Sequence, residues 1–258
     1  MMEGMPPFLI GAVVTLFGLA LGSFIGMCAY RLPRGAGIVR KRSHCPGCDK
    51  AIPVWRNIPL LSYAVQGGRC FACKGAIHWR YPVSEALCAL LVWACWRTYG
   101  NGLNLAAGTV ICCFLVLLSV VDAEHRKLPD RLTLPLLWLG LIFSLTEPAA
   151  PFAAPPQAIA GAAGGYSLLY GANGLWGLLR KRAAFGGGDL KLVAALGAWF
   201  GPYGALAAIA IAAVTGTLYA VASTLFTRAS PNDELPFGPF LMLGSVCTLL
   251  IPNPLWAA

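Results

Sequence analysis

The sequence predicts an all-α polytopic membrane protein with about eight transmembrane helices and a loop domain on one side, and three observations carry that reading. First, 58% of the 258 residues are hydrophobic and only 11% are charged, whereas soluble domains carry about a quarter charged residues. Second, the stretches Thr98–Val121, Pro148–Leu179, Leu192–Thr227 and Leu235–Ala258 contain no Asp, Glu, Lys or Arg. Each is at least as long as the ~20 residues that span a bilayer. Third, the net charge of +9 is unevenly placed: ten of the nineteen Lys/Arg fall within Arg31–Arg80, beside the single acid Asp49. Nucleic acid is not needed to explain that bias, because Lys/Arg concentrate in cytoplasmic loops of membrane proteins; the expected counter-charge is membrane lipid, and no nucleic-acid partner is expected.

The spans are expected near 8–30, 82–99, 105–121, 132–146, 157–179, 184–200, 205–227 and 236–254. Only Glu3 is charged before Arg31. The start therefore lacks the basic region and small-residue cleavage pattern of a signal peptide, and Phe8–Tyr30 reads as a permanent anchor. An external N-terminus puts loop 31–81 and the basic clusters at 122–131, 180–183 and 228–235 in the cytoplasm, leaving Arg97 alone outside. Three regions follow: a first transmembrane anchor at 1–30, a cytoplasmic loop domain at 31–81 and a seven-span membrane domain at 82–258. Leu132–Thr146 is short for a crossing, which local bilayer thinning can meet. The sixth span reaches membrane depth only if its helix starts near Ala183, and Gly201-Pro202-Tyr203-Gly204 is the turn after it. Pro148–Pro156 reads as an external loop. No internal repeat emerges.

Loop 31–81 carries Cys45-Pro46-Gly47-Cys48 and Cys70-Phe71-Ala72-Cys73, two CxxC pairs 21 residues apart. Two such knuckles can place four thiolates tetrahedrally around zinc. In a loop with little apolar core, metal binding supplies folding energy, about 10–16 kcal/mol apparent in small zinc peptides. Disulfides are the bland alternative, disfavoured in a reducing cytoplasm, and redox CxxC chemistry lacks its βαβ setting. A closed four-cysteine site is structural, not catalytic. His44 and His78 flank the pairs as spare ligands, and the six remaining cysteines lie in apolar spans as packing residues.

Carboxylates inside spans are costly and mark function by default. Glu3, Asp49, Glu147, Asp233 and Glu234 sit in loops or tails. Asp122 ends the third span and Asp189 opens the sixth, which places both at the cytoplasmic level. Two aspartates at one depth can share a proton and hold a water, one serving as base and the other as acid. Gly186-Gly187-Gly188 before Asp189 permits close backbone approach and offers a flexible docking strip. Position alone supports a plainer account equally: Asp122 caps a helix, and Asp189 pairs with Lys191 or Arg182.

Phe185-Gly186-Gly187-Gly188-Asp189-Leu190-Lys191 resembles the GxGD motif of intramembrane aspartyl proteases. Asp122 followed by Leu128-Pro129-Asp130-Arg131-Leu132-Thr133 resembles the first-aspartate motif of bacterial prepilin peptidases. Gly22-Ser23-Phe24, Tyr30-Arg31-Leu32-Pro33, the doubled CxxC, Arg80-Tyr81-Pro82 with Glu85, and Pro236-Phe237-Gly238-Pro239 are similar to that family in the same order. The resemblance implies an aspartic leader peptidase of the bacterial inner membrane, with Asp122 and Asp189 catalytic and its active site facing the cytoplasm. It also implies type IV prepilins or type II secretion pseudopilins as substrates. Finally, it implies N-methylation of the new N-terminus with S-adenosylmethionine, because relatives without the zinc loop are of the short or archaeal type. No nucleotide fingerprint marks the methyl-donor site, so only the first loop suggests itself. A proton or cation relay, a non-enzymatic zinc-loop scaffold, and a peptidase without methyltransferase activity are the competing readings.

Overall fold

The computed structural model describes residues 6–37, 43–146, 152–180, 185–227 and 236–251. Its elements are α1 (Pro7–Arg31), α2 (Leu61–Val65), α3 (Arg80–Tyr99), α4 (Leu103–His125), α5 (Asp130–Ser144), α6 (Pro155–Arg180), α7 (Gly187–Thr227) and α8 (Gly238–Leu250), with 3-10 turns at Leu32–Arg34 and Val54–Arg56. No strand occurs among the described residues, only two isolated bridges in the cysteine loop. The expected all-α membrane architecture is therefore the one observed. Helices α1, α4 and α7 are long and apolar enough to cross a membrane. Large apolar side chains such as Phe8, Leu16, Leu178 and Phe226 lie exposed on them or on α6, as lipid-facing surfaces require.

The chain forms two compact units, residues 1–120 and 121–258. In the first, α1 packs on α3 along a glycine seam. A Cβ on Gly18 would meet Ala89 Cα at 2.7 Å, one on Gly22 would strike the Glu85 backbone, and one on Gly26 would meet Ser84 Oγ at 2.7 Å. Small residues four apart let helices touch backbone to backbone in lipid, where burying apolar surface gives no advantage over leaving it in contact with acyl chains. Ser84 Oγ seals the seam by donating to the Gly22 carbonyl (2.9 Å). The sequence boundary at 81/82 assigned α3 to the later spans; its packing partner is α1. Cys28, Cys88, Cys95 and Cys112 are buried, while Cys113 and Cys247 are partly exposed.

In the second unit α7 is central and packs against α5, α6 and α8. Gly161 of α6 and Gly197 of α7 meet backbone to backbone, and the Trp199 indole N–H donates to the Leu136 carbonyl of α5 (2.9 Å). The expected sixth and seventh spans run on as α7 with one non-helical residue, Gly201 (φ 69, ψ −177), followed by Pro202. A four-residue turn was expected; a one-residue kink suffices, because glycine takes positive φ without strain and proline has no N–H to lose. The Ala153 N–H donates to the Trp199 carbonyl (2.9 Å) beside the kink. The sixth span starts at Gly187, not near Ala183. Residues 147–151, 181–184 and 228–235 lie outside the described residues, and with them Glu147, Arg182, Asp233, Glu234 and the start of the expected external loop.

Candidate active site and metal centre

The second unit brings Asp122 and Asp189 together at the ends of their helices. Asp122 lies in the last turn of α4 and is 5% exposed. Its Oδ2 accepts the backbone N–H of Gly238, the first residue of α8, at 2.7 Å across 116 residues of chain. Asp189 lies in the first turn of α7, and its Oδ2 accepts the N–H of Gly186, the residue before the helix, at 2.9 Å. Each carboxylate is thus held by one oxygen at a helix N-terminus, where unpaired amides and the helix dipole favour negative charge. The other oxygen of each has no hydrogen-bond partner among the described residues. The two carboxylates are close enough for their charges to interact.

This geometry revises two expectations. The Gly186–Gly188 segment is not a free docking strip, because Gly187 and Gly188 already belong to α7. The Gly186 N–H goes to Asp189 Oδ2, and its carbonyl accepts the Asp189 N–H at 3.1 Å. That is half of a capping box closed by a glycine cap. The expected close approach is found: a Cβ on Gly188 would meet Leu128 Cβ at 2.6 Å. Likewise Asp189 does not pair with Lys191. The Lys191 Nζ reaches Asp130 of α5 instead, at 2.6 and 2.7 Å from its two oxygens.

Sequence reasoning passed over Asn173 of α6. Its Oδ1 accepts the Phe185 N–H (2.8 Å) and its Nδ2 donates to the Phe185 carbonyl (2.9 Å), so one side chain clamps the chain entering the Asp189 turn. An amide side chain well inside the uncharged stretch Pro148–Leu179 was the available signal, since polar groups at membrane depth are expensive and find partners. The Phe185 ring lies 5.4 Å from that of Phe237, which precedes the amide that holds Asp122.

In the first unit the sulfurs of Cys45, Cys48, Cys70 and Cys73 all lie within 4.8 Å of one another. They sit on two knuckles with one hydrogen-bonding plan. The Cys45 N–H donates to the Lys50 carbonyl and the Asp49 N–H to the Cys45 carbonyl; the Cys70 N–H donates to the Gly75 carbonyl and the Lys74 N–H to the Cys70 carbonyl. Bridges His44–Ala51 and Arg69–Ala76 close the two, and Asp49 and Lys74 share positive φ (56 and 58). Here the structure shows a repeat of 25 residues that the sequence reading did not find.

The donor set fits a thiophilic cation. Four sulfurs at the zinc–thiolate distance around a tetrahedron stand about 3.8 Å apart, and Cys45 and Cys73 Sγ are 3.8 Å apart. Backbone N–H groups of Cys73 and Ala72 hold the Cys70 thiol down to about 6. The Cys48 sulfur faces the Lys50 N–H, yet burial and its three neighbouring sulfurs push its thiol up to about 11. Four thiols so crowded resist ionising together unless a cation balances them. His44 Nε2 faces Asp49 at 3.7 Å, so the four sulfurs suffice without a histidine.

An all-α membrane protein with a four-cysteine loop and an aspartate pair at helix termini is the class that fold and site define. Residues 16–99 match the Bacterial Peptidase A24 N-terminal domain, and residues 109–221 match the Type IV leader peptidase family. A Burkholderia pseudomallei (strain K96243) protein named prepilin leader peptidase/N-methyltransferase is 36% identical over 95% of this chain and 86% of its own length. Proteins of the same name from Neisseria gonorrhoeae (31%; 98% and 94%) and Pseudomonas aeruginosa PAO1 (35%; 91% and 88%) are similar over comparable spans. No solved structure matches the chain. The chain belongs to the type IV leader peptidase family, among the prepilin leader peptidase/N-methyltransferases.

Proposed function

We propose that the chain is an aspartic endopeptidase that removes the leader of type IV prepilins or type II secretion pseudopilins and N-methylates the new N-terminus. Family membership supports both activities. The observation that carries the peptidase half is the aspartate pair, each carboxylate anchored by one oxygen and presenting the other. A water between the free oxygens loses its proton to the ionised partner and adds to the scissile carbonyl. The protonated partner hydrogen-bonds the carbonyl oxygen and then returns a proton to the leaving amine. Asp122 and Asp189 are the two catalytic residues. The anchoring amides fix both carboxylates, so little orientation has to be lost on reaching the transition state.

Cys45, Cys48, Cys70 and Cys73 hold a structural zinc ion in this reading. S-Adenosylmethionine, when bound, supplies a sulfonium methyl as electrophile: the N–C bond forms at the free amine as the C–S bond breaks, sulfur keeps the electron pair, and the amine proton leaves to water. The basic loop 31–81 and the aspartate pair face the cytoplasm from a bacterial inner membrane, an orientation supported by the distribution of Lys/Arg. The test is incubation of purified protein with a prepilin bearing an intact leader, followed by mass spectrometry of the product's N-terminus. Loss of the leader with a gain of one methyl group is expected. An intact substrate would remove the proposal.

A further inference from the structure

The first unit encloses a cavity of about 620 Å³ between α1, the cysteine loop and α3, within the range of roughly 300–1,000 Å³ for small-molecule sites. Its wall combines three chemistries. Tyr30, Tyr63, Phe71 and Tyr81 supply ring faces. Glu85 supplies a buried carboxylate, 7% exposed. Arg31 and Arg80 supply guanidinium groups, 3% and 5% exposed, the latter set over the Tyr30 and Tyr81 rings at 5.3 and 5.7 Å. The wall residue Glu85 is held by strained backbone behind it. Leu60 has φ 57, a conformation that leucine rarely takes, and its N–H donates to Glu85 Oε2 at 2.8 Å. Strained backbone of this kind collects at functional sites.

A buried acid, buried bases and several aromatic faces around one cavity match a ligand that carries both charges and a planar ring. A phospholipid fits less well, since Glu85 would repel its phosphate and its acyl chains need no ring faces. We propose that this cavity binds the methyl donor, S-adenosylmethionine, Glu85 balancing the sulfonium charge, Arg31 and Arg80 the carboxylate, and the tyrosine rings receiving the adenine. The proposal rests on the methylating half of the reading above, and it places that half on the first unit, away from the aspartates in sequence.

The experiment is equilibrium binding to the full-length protein in neutral detergent, with S-adenosylmethionine and with S-adenosylhomocysteine, which keeps the ring and amino-acid end but has a neutral thioether. Glu85→Gln retains an oxygen for the Leu60 N–H and removes the charge. It is expected to weaken S-adenosylmethionine about tenfold and S-adenosylhomocysteine much less, a difference that a merely structural role would not produce. Met27→Trp, which fills the cavity, should weaken both, with zinc content and unfolding temperature confirming that each variant is folded. Unchanged donor binding in both folded variants would overturn the site while leaving methylation standing if the wild-type product still gains its methyl group. Equal weakening of both ligands by Glu85→Gln would overturn the assigned role of the charge. A phospholipid seen in the wild-type protein by native mass spectrometry, and not displaced by the donor, would overturn the cavity's assignment. Absence of both donor binding and methylation in the wild type would remove the methyltransferase reading itself.

Discussion

The cysteine loop and the aspartate site solve the same problem, gathering like-charged ligands, in opposite ways. The loop builds its cluster from one continuous segment. Each knuckle closes on itself through backbone hydrogen bonds, so the geometry is local and the four sulfurs need only two such turns to face each other. The aspartate site is assembled from the ends of three helices, α4, α7 and α8, and its bonds cross as many as 116 residues. Glycines take the place of local turns there, admitting backbone where a side chain would not fit. A local site can fail without the fold and is restored by its ion. A distributed site and the packing around it stand or fall together.

That contrast breaks most readily at the carboxylates. Asp122→Asn and Asp189→Asn keep an oxygen for the anchoring amides but lose the acid, so cleavage should fall about 10²–10⁴-fold while zinc content is unchanged. A prepilin cleavage assay beside metal analysis checks this, and substantial cleavage by either variant would dismiss that residue. Gly238→Ala comes next. Its methyl would lie 2.8 Å from Asp122 Oδ2, so about 1–3 kcal/mol of overpacking and a clear loss of cleavage are expected, with the cysteine loop untouched. A variant as active and as heat-stable as wild type would show that the two helices are not so tightly fitted.

Cys45→Ser or Cys73→Ser should do the converse: bound zinc falls, loop 31–81 becomes open to proteolysis, and methylation suffers at least as much as cleavage. Wild-type protein purified under reducing conditions without zinc would end this idea. The smallest effect belongs to the Asp130–Lys191 pair, whose side chains are 56% and 34% exposed. Exchanging the two residues should cost at most about 1 kcal/mol, read as a shift in unfolding temperature that salt diminishes. A large loss of cleavage would instead place this ion pair in the active site's support.

Reading the sequence alone went far where information was local. The doubled CxxC spacing pointed to the four-sulfur cluster, and the uncharged stretches anticipated α4, α6, α7 and α8. It failed where a residue's partner lies elsewhere in the chain. Nothing in the string Phe185–Lys191 says that Asn173 clamps its first residue, or that Lys191 turns to Asp130 when Asp189 is two positions away. For Gly186–Gly188 close approach and flexibility were both expected, because the two leave the same mark in a sequence. Only the facing atoms, Leu128 for Gly188 and Asp122 for Gly238, separate the two. The 25-residue repeat was missed because it is kept by backbone bonds and two positive φ angles, while Cys-Cys-Ala-Ile is nearly all that its halves share in sequence.

The twin knuckles also make the loop a chemical record of its own compartment. Cys45 and Cys73 sulfurs already stand 3.8 Å apart, so an oxidising milieu would draw thiols from different knuckles into a covalent bond and evict any metal, whereas a reducing one leaves four ligands free to hold it. The state of four sulfur atoms in freshly isolated membranes, thiolate–metal or cross-linked, therefore reports which side of the membrane the loop occupies, without a tag, a fusion or a protease.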